Sequence, residues 1–280
     1  MGKIIDCVSI AEKIKSEVKA EVESLKGLPH LAVIIVDGDA ASSVYVRNKE
    51  KVCHETGIKS SIIRMPNDVT QEDLEWTIKK LNADKDVHGI LLQLPLPKHL
   101  SEQDAISLIK PEKDVDGLHP LNAGLLSIGS PKAIVPCTPQ GVMRIFEELE
   151  YDLSGKEVTI IGRSNLFGKP MAQLILQANG TPTICHSRTQ DLTCHTINSH
   201  VTIVAVGIPK MITSKDIIAS DIVIDVGINR TENGLCGDVD TADVLERCNH
   251  ITPVPRGVGV LTTASLMKNV LKCYSLQGGE

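Results

Sequence analysis

Ser42, Tyr45 and Lys49 fall three and four residues apart, the spacing that puts side chains on one stripe of a helix. A hydroxyl, an aromatic ring and an amine on one stripe can hold a flat substrate and move a proton beside it. The stripe continues into Val52 and Cys53, setting Lys49 at the rim of an apolar face, where partial loss of hydration favours the neutral amine and lets it act as a base. The same spacing also describes a packed ring beside a snorkelling lysine, so the meaning of the segment depends on the groups that accompany it.

Gln93 follows the apolar run 87–92 and opens Gln93-Leu94-Pro95-Leu96-Pro97, which places its amide at the same sheet end as the loop before the Tyr45 helix. Asp114 and Asp116 alternate with Val115 and are expected to share one side of an extended segment. Two acids without a third ligand make a poor magnesium or calcium site, and a solvated acidic turn is the competing reading. Cys185-His186 and Cys194-His195 are adjacent pairs rather than the spaced pairs of closed zinc sites. No metal is expected.

In the second half, the β-branched run 158–161 leads into Gly162-Arg163-Ser164, then Gly168, with Pro170 opening a helix that stops at Asn179-Gly180. A strand, a glycine turn and a helix N-terminus place backbone N–H groups against a pyrophosphate, although a purely structural turn has the same signature. About 20 residues further on, where NAD would call for an acid, the chain reads His186-Ser187-Arg188. A hydroxyl and a guanidinium suit a 2′-phosphate and point to NADP. Arg163 is placed to close over the same phosphate or to remain solvated. Gly207 and Gly227-Ile228-Asn229 follow later strand patterns, at carboxyl ends that line the ligand crevice of an open α/β sheet.

The elements that position these residues follow one rhythm, in which short β-branched runs alternate with amphipathic stretches. The runs 31–36, 60–64 and 87–92, then 158–161, 183–185, 201–206 and 222–226, read as buried strands of an α/β fold with parallel sheets and crossover helices. Thr70 followed by Glu72 and Asp73 marks a helix start. Proline and glycine concentrate between residues 111 and 141, where a connection between two lobes is expected. The expected division is 1–137, completed by a C-terminal helix at 264–280, and 138–263.

Composition narrows the function. A net charge of -6 without a basic cluster, and aromatic residues at 2%, give neither the electrostatic footprint nor the stacking platforms of a nucleic-acid binder. Eight cysteines without a CxxC pair, no signal peptide and no apolar run of membrane-spanning length favour reduced thiols in the cytoplasm, away from the membrane.

Ser42-x2-Tyr45-x3-Lys49, Gln93-Leu94-Pro95-Leu96-Pro97, the segment from Pro111 to Gly117, Pro136-Cys137-Thr138-Pro139, the Gly162 turn, Gly227-Ile228-Asn229, Gly237-Asp238-Val239 and Pro253-Val254-Pro255 occur in one order. In that order the chain resembles the bifunctional methylenetetrahydrofolate dehydrogenase/cyclohydrolase family over nearly its whole length. The resemblance implies an N-terminal folate-binding catalytic domain, a C-terminal Rossmann-like NADP domain and a terminal helix returning to the first lobe. It implies oxidation of 5,10-methylenetetrahydrofolate with NADP and hydrolysis of the methenyl product to 10-formyltetrahydrofolate, in a homodimer. The 280 residues leave no room for the synthetase domain of some relatives and the start does not read as a mitochondrial presequence, so a free-standing cytoplasmic enzyme is expected. Carried over by motif, Tyr45 stacks on the folate, Lys49 is the catalytic amine, Gln93 orients it and Asp116 binds the pterin, with Ser42 and Pro253 also on the substrate. Gly162, Arg163, Ser164, Gly168, Ser187, Arg188, Gly207 and Ile228 fall to the cofactor.

Four positions depart from the family pattern, Phe167 and, in the stretch after Pro253-Val254-Pro255 that usually reads Gly-Gly-Val-Gly-Pro-Met-Thr, Arg256, Val260 and Leu261. Arg256 stands where a glycine is usual, so the backbone there must tolerate a side chain, expected to point outward. Phe167 replaces a smaller aliphatic residue and is read as a packing change. A member retaining a single activity, or a non-catalytic NADP- or folate-binding regulator, are the alternatives; Lys49, Gln93 and Asp116 argue against a lost hydrolysis, the altered loop at Arg256 leaves a lost dehydrogenation open, and Lys49 argues against a mere binding module.

Overall fold

The computed structural model describes residues 2–37, 40–232 and 234–279, with the side chains of residues 40–46 outside the described set. In chain order, β1 (Lys3–Ile4), α1 (Cys7–Ser24), β2 (His30–Val36), α2 (Ala40–Thr56), β3 (Lys59–Met65), α3 (Gln71–Ala83) and β4 (Gly89–Leu92) lead to α4 (Glu102–Leu108), α5 (Pro120–Ser127) and α6 (Cys137–Glu148). Then come β5 (Glu157–Ile161), α7 (Gly168–Gln177), β6 (Thr181–Cys185), α8 (Leu192–Thr196), β7 (Val201–Val204) and β8 (Ser220–Asp225). The hairpin β9 (Asn229–Thr231) and β10 (Gly234–Cys236), α9 (Thr241–Val244), β11 (Cys248–Ile251) and α10 (Val258–Leu276) complete the chain.

Two compact units result, one of residues 12–137 with 263–280, the other of residues 1–11 with 138–262. The expected α/β architecture and the return of the C-terminal helix are borne out. One boundary differs from the sequence reading of 1–137 as a single stretch. Lys3 and Ile4 pair in parallel with His250 and Ile251, so the first residues extend the sheet of the second unit. A two-residue strand carries too little pattern to announce this pairing.

The first unit is built on a three-stranded parallel sheet, β3-β2-β4. All seven residues of β2 are buried, as expected of a central strand covered on both faces by crossover helices. Ala32, Ile34, Leu74, Ile78, Ile90 and Leu92 form the centre of one core cluster. The sequence signals for α3 hold in detail, since Thr70 Oγ1 accepts from the Asp73 N–H at 3.1 Å. At the other end of α3, the buried Lys113 Nζ donates to the Leu81 and Asp84 carbonyls at 3.1 and 2.6 Å, supplying donors to a helix terminus that lacks them.

The helix α10 is held in the first unit by polar as well as apolar contacts. Cys53 Sγ donates to Met267 Sδ at 3.6 Å. The fully buried Asn269 amide donates to the Val115 and Val135 carbonyls, each at 2.8 Å, tying together the two loops that flank Asp116 and Cys137.

The second unit has six strands in the order β1-β11-β8-β7-β5-β6, all parallel. The chain runs from β5 to β6 on one side and then crosses to β7 on the other, a reversal that opens a crevice at the carboxyl ends. The polar strand β11 and the hairpin were not anticipated, because Cys248-Asn249-His250-Ile251 lacks the apolar run that marks a buried strand.

Asn269→Ala should lower the unfolding free energy by about 2–4 kcal/mol, because buried carbonyls lose their donor and a side-chain volume is vacated. Urea denaturation measures it, and a loss below about 1 kcal/mol would mean that other contacts hold the two loops.

Candidate active site

In the first unit the carboxyl ends of β2 and β4 face the same edge. Gln93, the first residue beyond β4, donates its N–H to the Ile34 carbonyl of β2 at 2.9 Å. Its side chain is fixed at both ends: Oε1 accepts from Lys49 Nζ at 2.8 Å, and Nε2 donates to the Leu94 carbonyl at 2.7 Å. The second bond decides which end of the amide faces the amine, since a backbone carbonyl can take only the NH₂. Lys49 lies on α2, the helix that leaves the carboxyl end of β2. The side chains of Ser42 and Tyr45 lie outside the described residues.

Asp114 and Asp116 do not share one side of an extended segment. Residues 111–113 form a 3-10 turn, and the chain then turns through 115–117, with Gly117 at φ +69° and any Cβ there driven into backbone atoms of Ile134 and Pro136. The acids consequently have separate environments. Asp114 is buried and accepts from the His119 N–H at 2.8 Å and the Asn122 amide at 2.9 Å, which makes it a structural brace. Burial pushes its carboxyl above the usual carboxylate range against those donors. Asp116 is half-buried and, among the described residues, receives only the Cys137 thiol at 3.7 Å. Burial pushes its carboxyl up, and the nearby Lys49 opposes the shift. A carboxylate left this poorly satisfied is open to donors from a ligand.

Cys137 was not singled out as a site residue. Its buried thiol donates to the Val115 carbonyl at 3.4 Å and lies 3.5 Å from the Asn269 amide. Burial and the Asp116 charge raise it well above the usual thiol range, so it remains a donor. The Pro136-Cys137-Thr138-Pro139 motif was its only sequence signal.

In the second unit the glycine turn sits at the crevice. Gly162 has φ +134°, and a Cβ there would strike the Ala205 carbonyl; a Cβ on Gly168, the first residue of α7, would strike the Gly162 carbonyl. Both glycines are therefore required by close backbone approach, the geometry of a phosphate-binding turn. Ser164 Oγ accepts from the Phe167 N–H at 3.1 Å, and Phe167 is buried, in keeping with a packing role. Arg163 is exposed.

Ile161 of β5 pairs with Cys185 of β6, and the Gly162 N–H donates to the Cys185 carbonyl at 2.9 Å. The turn after β6 therefore lies beside the glycine turn. Thr189 N–H donates to the His186 carbonyl at 2.8 Å, and His186 N–H to Thr189 Oγ1 at 2.9 Å, leaving the side chains of Ser187 and Arg188 exposed on a fixed turn. These donors fit a dinucleotide phosphate. Beyond β7, Gly207 has φ +69° with open space where a Cβ would be, and beyond β8, Ile228 is 49% exposed. Pro253 lies in this unit too, after β11, rather than in the unit of Lys49. Arg256 is exposed at φ +68°, so the side chain points outward as expected while its backbone keeps a glycine-type conformation.

Two further acids were missed. Asp225 at the end of β8 is fully buried, its Oδ1 accepting from the Gly227 and Asp238 N–H groups at 3.0 Å each and its Oδ2 from Val239 at 2.9 Å. Burial pushes its carboxyl up to about 6, the backbone donors opposing the shift and the neighbouring Asp238 adding to it. Among the described residues no group of three or more His, Cys, Asp or Glu side chains is placed to hold a metal ion, and Cys194 instead donates to Asp191 at 2.9 Å.

Comparison with known proteins decides the family. Residues 5–116 match the tetrahydrofolate dehydrogenase/cyclohydrolase catalytic domain, and residues 136–278 match the NAD(P)-binding domain of the same family. The chain belongs to this family. It is 50% identical over 280 residues to the bifunctional protein FolD of Acetivibrio thermocellus, covering 99% of this chain and 98% of that one. The crystal structure of the bifunctional enzyme FolD from Campylobacter jejuni superposes with a TM-score of 0.96 at 42% identity, covering 99% of each chain. That of the Trypanosoma brucei enzyme, complexed with NADP cofactor and inhibitor, gives 0.91 at 36% identity over 98% of each chain. The resemblance read from the ordered motifs is thereby borne out, and this tetrahydrofolate dehydrogenase/cyclohydrolase chain has the two-domain α/β fold of its family.

Asp225 supplies a pH test. A carboxyl raised in the folded state binds its proton more tightly there than in the unfolded chain. Its contribution to stability is complete below the unfolded value near 4 and is lost as pH rises through about 6. Between about pH 4.5 and about pH 7, wild type should lose about 2 kcal/mol of stability relative to Asp225→Asn. Urea unfolding of both proteins at the two pH values measures it; a constant difference would mean that Asp225 is already ionised in the folded protein at about pH 4.5.

Proposed function

We propose that the chain is a bifunctional enzyme of one-carbon metabolism, oxidising 5,10-methylenetetrahydrofolate with NADP and hydrolysing 5,10-methenyltetrahydrofolate to 10-formyltetrahydrofolate. The observation that carries this reading is the Lys49–Gln93 hydrogen bond of 2.8 Å in the same compact unit as the under-satisfied Asp116. Family membership and the bifunctional FolD relatives support it.

Asp116 accepts from the amino-pyrimidine edge of the pterin, whose adjacent donors match a carboxylate. Tyr45 is assigned to stacking on the folate, and Ser42 and Pro253 to further substrate contacts. When bound, NADP supplies the hydride acceptor for oxidation of the methylene carbon. In hydrolysis, a water oxygen bonds to the methenyl carbon while Lys49 takes one water proton, and as the bond from that carbon to N5 breaks the remaining hydroxyl proton passes to N5, leaving the 10-formyl group. Gln93 holds the Lys49 amine in place for this transfer, because its own amide is anchored to the Leu94 carbonyl. The electrophilic carbon needs no further polarisation by a metal ion.

The Gly162 turn and the N-terminus of α7, with Arg163, Ser164 and Gly168, would hold the pyrophosphate, and Ser187 and Arg188 would hold the 2′-phosphate. Gly207 and Ile228 would take the other nucleotide. The enzyme works in the cytoplasm as a homodimer. An edge strand invites a second copy, and β6 is such an edge, with Ile184 and the nearby α7 residue Leu176 both exposed.

Lys49→Met should abolish hydrolysis of the methenyl substrate while part of the NADP-dependent oxidation remains, both followed spectrophotometrically on purified protein. Undiminished hydrolysis would remove Lys49 from the mechanism. Combined Ser187→Ala and Arg188→Ala should weaken NADP by about tenfold or more and leave NAD nearly unchanged, given the strength of charge-assisted phosphate contacts. Equal losses for the two cofactors, measured by calorimetric titration, would place the phosphate elsewhere.

A further inference from the structure

Three irregular segments of the second unit come together on one buried side chain. Asp238, which has no exposed surface, accepts through Oδ2 from the N–H groups of Val206 and Gly207 at 2.7 and 2.9 Å, and through Oδ1 from the Asn229 amide at 2.8 Å. Its own N–H donates to Asp225 Oδ1 at 3.0 Å. One carboxylate thus joins the loop after β7, the start of the hairpin after β8 and the chain leaving β10.

The neighbouring glycines fit the same arrangement. A Cβ on Gly227 would collide with the Asp238 carboxyl, and one on Gly237 would collide with that of Asp225. Gly227-Ile228-Asn229 and Gly237-Asp238-Val239 are therefore two halves of a single interlock, which explains glycines where their own φ values do not demand them. Around this interlock, Gly207 opens onto empty space and Ile228 is half exposed.

The direction of the dinucleotide gives the interlock a purpose. With the 2′-phosphate at the end of β6 and the pyrophosphate at the end of β5, the remaining nucleotide, which carries the nicotinamide, must extend over the ends of β7 and β8. We infer that Asp238 is the positioning residue of the nicotinamide half of the cofactor site, fixing Gly207 and Ile228 through three charge-assisted hydrogen bonds without touching cofactor itself. The inference rests on the NADP reading above. Charge-assisted bonds in a buried setting are strong, and a neutral amide in place of the carboxylate has one acceptor atom for three donors.

Calorimetric titration of the full-length protein with NADP, in the absence of folate, tests this. Asp238→Asn should raise the NADP Kd by about tenfold or more, as loss of a charge-assisted bond implies. Hydrolysis of the methenyl substrate, whose Lys49, Gln93 and Asp116 belong to the other compact unit, should keep its kcat and KM within about twofold of wild type. Asn229→Ala, which removes one of the three donors and keeps the carboxylate, should give an intermediate rise in Kd and serves if Asp238→Asn fails to fold. Tyr151→Phe, which loses the 2.7 Å bond to Asp221 elsewhere in the unit, should lower thermal stability and leave the NADP Kd unchanged. A wild-type Kd in Asp238→Asn, or in Asn229→Ala where the former does not fold, overturns the inference, as does an equal rise in Tyr151→Phe. The paired Ser187→Ala and Arg188→Ala variant separates this from failure of the cofactor reading: if it binds NADP like wild type, the crevice itself is misassigned.

Discussion

Within both main sheets every strand runs parallel to its neighbours, and this constraint decides where chemistry can occur. A parallel sheet covered by crossover helices buries both faces, so its strands are filled with Val, Ile and Leu and have no room for reactive groups. Polar function is displaced to the carboxyl ends, where the chain leaves the sheet. Gln93 follows β4, Gly162 follows β5, Ser187 and Arg188 follow β6, Gly207 follows β7 and Ile228 follows β8. Lys49 obeys the same rule at one remove, on the helix that β2 feeds.

That constraint also explains which parts were legible in the sequence. Central strands such as residues 31–36 and 158–161 must be apolar throughout, and their composition revealed them. The edge strand β1 and the polar β11 have no such requirement and were invisible. Ordered motifs located Lys49, Gln93 and Asp116, but not their different states of satisfaction. Alternation around Val115 suggested a shared face for Asp114 and Asp116, whereas Gly117 at φ +69° turns the chain there and sends the two acids to separate partners. Asp225 and Asp238 stand in the sequence near glycines, and an aspartate in that setting carries no sign of burial. What marks them as buried is the contact of each with the other's neighbouring glycine, information that exists only in three dimensions.

Four aspartates can then be sorted by one criterion, the number of donors that meet each carboxylate. Among the described residues, Asp225 and Asp238 each receive three and Asp114 receives two, whereas Asp116 receives a single long thiol contact. A buried carboxylate with N–H donors on its oxygens has its desolvation partly offset and is a brace. One without them keeps part of that cost until a ligand supplies the donors. The criterion separates braces from a binding group more sharply than burial, because Asp116 is the least buried of the four.

The proposed cofactor crevice combines two kinds of electrostatics for distinct purposes. Ser187 and Arg188 are exposed on a turn fixed by its backbone, so their attraction for a phosphate acts through water and is screened by salt. An exposed contact suits discrimination between two cofactors that differ by one dianion, since it adds attraction without requiring a buried charge when the phosphate is absent. Asp238 lies in the interior, where the same type of charge-assisted bond is little screened and a lost partner is costly. It suits the rigid placement of loops. Exchanging the two environments would weaken both: a buried arginine would carry a desolvation cost without its phosphate, and an exposed aspartate would share its N–H partners with water and leave Gly207 and Asn229 free to move.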